Sequence, residues 1–298
     1  MNYILTGGAG FIGSHLASFL INQGHRIEII DNLSAGSLSN VENIKEKITF
    51  HKLDILHYNE LEKIIEGKDG IFHHAALTSV PESYVKQKEY NDVNVIGTEN
   101  IFKIANKLHI KTVFASSSSV YGNTKTIPTP ESEKRDPISP YGITKLAAEN
   151  LATNYSNNCD IVGLRYYNVY GEGMISSGKG VISQFYQNIQ NKRAPVIDGD
   201  GEQLRDFVFV GDVVQATISA MEKKTGSCFV NIGSGNTISI RHLANLFIKY
   251  SELDLKPVFE QEKEGNIKTS QADITLAKRL LDWQPQTKLE DWIKNLYK

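Results

Sequence analysis

Apolar and polar positions follow two alternating rhythms through the first half of the chain. Short apolar, β-branched runs at Tyr3–Thr6, Arg26–Ile30, Ile48–Lys52, Gly70–His74, Thr112–Ser116 and Ile161–Tyr166 read as strands. Between them, apolar residues recur at helical spacing in Phe11–Asn22, Asn94–Lys107 and Tyr141–Ser156. Strands joined through helices need crossover connections, which are right-handed and cover a parallel sheet on both faces. The predicted fold class is therefore α/β, a Rossmann-type doubly wound parallel sheet.

The rhythm changes after residue 167. Glycine, asparagine and proline become denser through Gly171–Gly180 and Pro195–Gly201, and the elements shorten. A helix is expected near Asp212–Met221, a strand near Cys228–Ile232, and helices near Ile240–Tyr250 and Asp291–Tyr297. This predicts a dinucleotide-binding domain over 1–167, to which some later segments return. A smaller C-terminal α/β substrate lobe occupies mainly 168–298, with Trp283 and Trp292 as its packing anchors.

Composition narrows the class without giving a function. A chain of 298 residues, 40% apolar and 22% charged, can bury a sizeable core. The net charge is 32 − 34 = −2, with no basic excess for nucleic acid. The apolar N-terminus lacks a basic start, and Gly7, Gly8, Gly10 and Gly13 interrupt it, so neither a signal peptide nor a membrane span is expected. Cys159 and Cys228 form no CxxC pair, which argues against a zinc knuckle or disulfide framework. The adjacent His73 and His74 point to opposite sheet faces, so they suit one buried and one pocket-side role better than a metal site. A soluble, cytoplasmic, metal-free protein is expected.

The first chemical motif is Thr6-Gly7-Gly8-Ala9-Gly10-Phe11-Ile12-Gly13, between the first strand and the first helix. Glycines there permit a tight turn and close approach of a pyrophosphate, and the helix N-terminus offers free N–H groups. Asp31 closes the second strand at the distance where a carboxylate binds ribose hydroxyls and repels a 2′-phosphate, which selects NAD over NADP. Gly233-Ser234-Gly235 also follows a strand, but Ile238 stands where the third glycine belongs.

The second motif is Tyr141-Gly-Ile-Thr-Lys145. At i and i+4 on a helix the ammonium lies near the phenol, and a cation is expected to lower the tyrosine pKa toward general-base duty. Tyr84/Lys88 and Tyr121/Lys125 share the spacing. Only Tyr141/Lys145 opens a helix after a strand that ends in hydroxyls, Ser116–Ser119, on the sheet edge where ligands bind. Ser117 is placed to hydrogen-bond the substrate hydroxyl; a plain polar turn is the alternative.

TGGAGFIGSHL, DNLSAG, LDI, HHAAL, NVIGTEN, SSSSVYG, SPYGITK and LRYYNVYG occur in that order. Together they resemble the extended short-chain dehydrogenase/reductase family, and within it the nucleotide-sugar 4-epimerases of the UDP-glucose and UDP-N-acetylglucosamine type. The resemblance runs almost the whole chain, into QADITLAKRLLDWQP. It implies a tightly bound NAD held by Gly7, Gly10, Phe11, Ile12, Gly13, Asp31, Asn32, Ser34 and Gly36. The same set continues through Asp54, Ile55, Ala75, Ala76, Asn94, Tyr141, Lys145 and Tyr167. A UDP-sugar would meet Ser79, Ser117, Ser118, Tyr141, Asn168, Val181, Arg205, Lys263 and Ser270. Tyr141, Lys145 and Ser117 would carry catalysis, and relatives pair as homodimers through the helices near Asn94–Lys107 and Tyr141–Ser156.

Within the family, sugar dehydratases and sugar-acid decarboxylases carry acids just before VYG. Here Ser118 and Ser119 stand there, which favours epimerisation through a transient 4-keto sugar. Arg205 suits a phosphate through its forked donors, with a salt bridge to Asp206 as the alternative. Where relatives often show Arg-x-Gly-Asp, this chain has Lys263-Glu264-Gly265-Asn266, which loses the bidentate fork and a ribose-binding carboxylate. Ser270 replaces a bulky tyrosine of glucose-restricted relatives and leaves room for a 2-acetamido group, or is simply a small packing residue. Ser79-Val80-Pro81 resembles the loop of epimerases acting on acetamido sugars, although Glu82 stands where arginine is common. The alternatives are an epimerase of another nucleotide sugar such as UDP-glucuronate, or a non-catalytic NAD-binding protein on the same fold.

Overall fold

The strand-forming runs assemble into one parallel sheet because each is flanked by an amphipathic helix that buries one of its faces. The computed structural model describes residues 1–174, 180–261 and 267–298. The first half contains β1 (Asn2–Thr6), α1 (Phe11–Asn22), β2 (Arg26–Asp31), β3 (Ile48–Lys52), α2 (Tyr58–Ile65) and β4 (Gly70–His73). Then come α3 (Val80–Val85), α4 (Gln87–Asn91), a π-helical turn (Asp92–Gly97), α5 (Thr98–Leu108), β5 (Thr112–Ser117), α6 (Pro140–Tyr155) and β6 (Ile161–Tyr166).

The second half holds β7 (Asn168–Tyr170), α7 (Val181–Gln190), β8 (Val196–Asp198), β9 (Leu204–Arg205), β10 (Phe207–Phe209) and α8 (Val210–Glu222). It continues with β11 (Cys228–Ile232), β12 (Ile238–Ser239), α9 (Ile240–Ser251), β13 (Val258–Glu260), β14 (Thr269–Ser270), α10 (Thr275–Leu281) and α11 (Leu289–Asn295). Among the described residues, no helix is long and apolar enough to cross a membrane.

The seven-stranded sheet has the order β11-β6-β5-β4-β1-β2-β3. The chain winds outward from β1 to β3, then returns to build the other side from β4, so a crevice opens where β1 and β4 meet. One face is covered by α1, α8 and α10, with Leu16, Leu20, Val213 and Leu281 in its core. The other carries α2, α5 and α6, with Leu61, Ile101, Phe102 and Ala148. A third cluster around Phe185, Leu243, Phe247 and Trp292 lies under the small strands of the second half.

Two features depart from a simple division by sequence. Cys228–Ile232 is the edge strand of the large sheet, in parallel register with β6. Trp283 packs in the core of that sheet and donates to the Asp212 carbonyl at 2.9 Å, so it anchors the large sheet and not the lobe; Trp292 does sit in the lobe cluster. An indole buries wherever apolar area is on offer, and here the chain has already returned to the sheet when it reaches position 283.

Candidate active site

The glycine loop is shaped by close backbone approach. A Cβ on Gly13 would lie 2.2 Å from the Gly7 carbonyl oxygen, and Gly7 itself has φ +70° with the Ala75 nitrogen 2.6 Å from where a Cβ would sit. Only glycine allows the loop to close against β4 in this way. Gly10 caps α1 without a side-chain hydrogen bond, and the first turn carries no acid. The N-terminal N–H groups and the positive end of the helix dipole therefore suit an anion.

Four successive strand ends line the adjoining pocket. Gly7 and Gly10 follow β1; Asp31 ends β2, and Asn32, Ser34 and Gly36 follow it; Asp54 and Ile55 follow β3; Ala75 and Ala76 follow β4. All ten were expected from sequence. His74, Leu77, Ile30, Ala35, Leu53 and Val93 complete the wall; His74 is the pocket-side member of the histidine pair, and the other five were not singled out. Phe11, Ile12 and Gly13 form the first turn of α1 beside it.

Asp31 is buried, and its carboxylate accepts from the Ala9 N–H at 3.0 Å and the Leu33 N–H at 2.8 Å. It thus tethers the glycine loop, and each oxygen keeps a further lone pair for a ribose hydroxyl. Asn32 donates to Asp54 at 2.7 Å and accepts from the Ser34 N–H. A cradle of free N–H groups at one end and carboxylates at the other matches the pyrophosphate and ribose of a dinucleotide.

Asn94 sits elsewhere than on the pocket wall. It lies buried in the π-helical turn, accepts from the Leu77 N–H, and donates to the Leu77 carbonyl and the Thr144 hydroxyl. Thr144 donates to the Tyr141 carbonyl at 2.8 Å. Asn94 therefore ties the loop after β4 to the start of α6, and both its amide protons are used within the protein.

The tyrosine–lysine pair comes together on α6 as the spacing predicts, with the Lys145 ammonium 5.9 Å from the Tyr141 ring centre. Ser139 caps the helix by accepting from the Gly142 N–H. The electrostatics differ from expectation. Burial raises the Tyr141 pKa and only the Ser117 hydroxyl pulls it down, while burial lowers Lys145 to about 8. The ammonium donates to the Ala115 carbonyl at 2.9 Å. The pair's desolvation outweighs its proximity, because both groups are shut away from water.

The serine run divides its labour. Ser116 donates to Glu149 on α6, inside a buried network with Arg165. Ser117 faces Tyr141 and donates to Ser119. Ser118 and Ser119 open onto a second cavity, which also takes in Tyr121, Thr129, Asn168, Arg205, Thr269 and Ser270. Tyr121 there accepts from Arg165 and donates to Asn231, so its spacing to Lys125 has no catalytic sense.

Arg205 and Ser270 are direct partners of the parallel β9–β14 pair, which puts both side chains on one side of that small sheet. The Asp206 carboxylate, fully buried, is held by the N–H groups of Ser234, Gly235 and Ala272 and by the Ser234 hydroxyl. The second glycine-rich turn thus receives an internal carboxylate, not a phosphate.

Four expected residues stand apart from these groupings. Tyr167, expected beside the cofactor, lines the second cavity. Ser79 uses its hydroxyl to cap α3 by accepting from the Glu82 N–H. Val181 opens α7 and packs on the lobe cluster. Lys263, like Asn266, lies outside the described residues.

A doubly wound sheet with a dinucleotide cradle at its switch point, a buried tyrosine–lysine–serine set and a polar side cavity defines a nucleotide-dependent enzyme class. Residues 3–233 match the model of the NAD dependent epimerase/dehydratase family, and the chain belongs to that family, with NAD as its cofactor. It is 36% identical over 299 residues to a putative UDP-glucose 4-epimerase of Methanocaldococcus jannaschii, covering 98% of this chain and 96% of the relative. A UDP-N-acetylglucosamine 4-epimerase from Methanobrevibacter ruminantium, solved with UDP-N-acetylmuramic acid, superposes with a TM-score of 0.92 at 37% identity, covering 98% of this chain and 96% of that one. The UDP-glucose 4-epimerase of Thermotoga maritima, solved with UDP-glucose, gives 0.93 at 34% identity, with 99% and 96% coverage.

Proposed function

We propose that the protein interconverts UDP-hexoses at C4′, acting on UDP-N-acetylglucosamine/UDP-N-acetylgalactosamine, on UDP-glucose/UDP-galactose, or on both pairs. The observation that carries this is the Tyr141–Ser117 hydroxyl pair, buried at the sheet edge and linked through Ser119 to the second cavity. The described side chains of that cavity are hydroxyl, amide, aromatic and aliphatic, with Arg205 as the charge. They suit a neutral sugar and a diphosphate, and offer hydrogen bonds in place of the extra acid that dehydration requires.

The glycine loop, Asp31, Asn32 and Asp54 would hold NAD, which when bound would supply reversible hydride exchange at C4′. Tyr141 takes the 4′-hydroxyl proton and returns it after the keto sugar has turned in the cavity. Ser117 orients that hydroxyl and, by turning its single proton from Ser119, stabilises the phenolate. Lys145, fixed on the Ala115 carbonyl, holds its charge on the same helix face. Burial works against ionisation of Tyr141, so the base forms only when positive charge gathers around it. Arg205 grips the diphosphate, and Ser270, its cross-strand neighbour, leaves space at C2′ for an acetamido group. Ile96 and Ile143, exposed on the π-helical turn and α6, suit pairing of two copies through α5 and α6.

Purified protein is incubated, without added NAD, with UDP-glucose, UDP-N-acetylglucosamine and UDP-glucuronate, and products are read by NMR. The 4-epimer of one or both hexose substrates is expected. Product formed only from UDP-glucuronate, or loss of water or CO₂, overturns the assignment.

A further inference from the structure

His74 lines the dinucleotide pocket and was not among the residues expected to hold the cofactor. Its tautomer follows from a chain of hydrogen bonds. Thr217 has one hydroxyl proton, which it gives to the Val213 carbonyl at 2.8 Å, since a carbonyl can only accept. The 2.8 Å contact between Tyr166 and Thr217 is therefore donated by the tyrosine. Tyr166 has then spent its only proton, so in the 3.1 Å contact with His74 Nε2 the imidazole must donate. The ring is thus the Nε2–H tautomer and Nδ1 carries the lone pair.

That Nδ1 is closed off in the cofactor-free protein, so a ligand reaches it only by displacing part of the adjoining wall, and it has no partner among the described residues. A buried acceptor left unpaired costs free energy. Protonation is no way out: burial and the nearby Lys145 charge push His74 down to about 3, so the ring stays neutral near pH 7. Its reach from the end of β4 to Tyr166 on β6 crosses the end of β5, the strand that carries Ser117.

We propose that His74 is a cofactor-binding residue whose Nδ1 accepts a hydrogen bond from an N–H or O–H of the nicotinamide half of bound NAD. Tyr166 and Thr217 act as positioning residues that hold the imidazole in the accepting tautomer. This rests on NAD as the cofactor and is independent of which sugar is turned over.

The first test uses wild-type protein labelled with ¹⁵N-histidine and stripped of nucleotide. NMR should show His74 with Nε2 protonated and Nδ1 bare, and the Nδ1 resonance should move when NAD is added. A protonated Nδ1, or one that ignores NAD, overturns the proposal; in the latter case a buried water or nothing holds the site. The second test measures NAD affinity by calorimetry. His74→Phe should weaken binding roughly 5- to 150-fold, the range for stranding a buried donor, while His74→Gln, which keeps a donor and an acceptor, should stay within a few-fold of wild type. A folded His74→Phe protein that binds NAD like wild type overturns the proposal, and if that variant does not fold, the wild-type spectra decide. The 3-acetylpyridine analogue of NAD lacks the carboxamide N–H. Loss of the His74→Phe penalty with it assigns the donor to the carboxamide; persistence assigns it to the ribose. Wild-type protein that binds no NAD would instead overturn the cofactor itself.

Discussion

The dinucleotide pocket and the second cavity are built in different ways. Apart from Val93, the dinucleotide pocket is lined by residues at or just after the ends of β1, β2, β3 and β4, and much of its wall is glycine, alanine and backbone. The second cavity draws on the loop after β5, on Tyr167 and Asn168 after β6, and on Arg205 and Ser270 from two strands far apart in sequence. The first is local chemistry repeated along one sheet edge, which suits a ligand whose shape never changes. The second is side-chain chemistry gathered from separate segments, where one substitution alters what fits without touching the sheet.

The sharpest way to separate the two is Tyr141→Phe. Turnover should fall roughly 10²- to 10⁴-fold, as expected for loss of a general base, while NAD content and melting temperature stay near wild type. Normal turnover would remove Tyr141 from the mechanism.

Acid should strike the two regions unequally. His73 and His74 lie at the end of β4, and burial lowers both to about 3 from an ordinary value of 6.5. Unfolded histidines take up protons below about pH 6.5 and the folded ones do not, so stability falls as pH drops from 6.5 toward 3. A loss of a few kcal/mol is expected over that window in cofactor-free protein, measured by denaturant titration at several pH values. A flat profile would mean that the two rings are not held neutral.

Arg205→Ala probes the second cavity alone. We expect kcat/KM to drop about 100-fold, mostly through KM, because a forked cation facing a diphosphate is lost. NAD retention should not change; a variant that loses NAD would show that the recesses are coupled. The smallest effect is in Ser270→Tyr, where the ratio of acetamido-sugar to UDP-glucose turnover should fall roughly tenfold or more by steric exclusion. An unchanged ratio would leave Ser270 as a packing residue.

These differences track what could be read from the chain. Gly7, Asp31 and Asp54 announce themselves because each lies within a few residues of a strand end, and alternation of strand and helix already fixes which edge those ends share. Tyr141, Lys145 and the Ser139 cap are legible for the same reason, since helical spacing is a local rule. His74 carried a weaker signal, as the residue just before Ala75 facing opposite to the buried His73.

Tertiary structure alone decided the rest. The sheet membership of Cys228–Ile232 and Trp283 depends on which partner offers buried area after a long excursion through the lobe. The register that sets Ser270 beside Arg205 joins residues 65 positions apart, as 270 − 205, through a two-residue pairing that no local pattern encodes. The upward pKa of Tyr141 and the accepting tautomer of His74 follow from exclusion of water and from protons already committed to other groups. Spacing along a chain can bring two side chains onto one face, but desolvation and hydrogen-bond partners exist only once distant elements have packed around them.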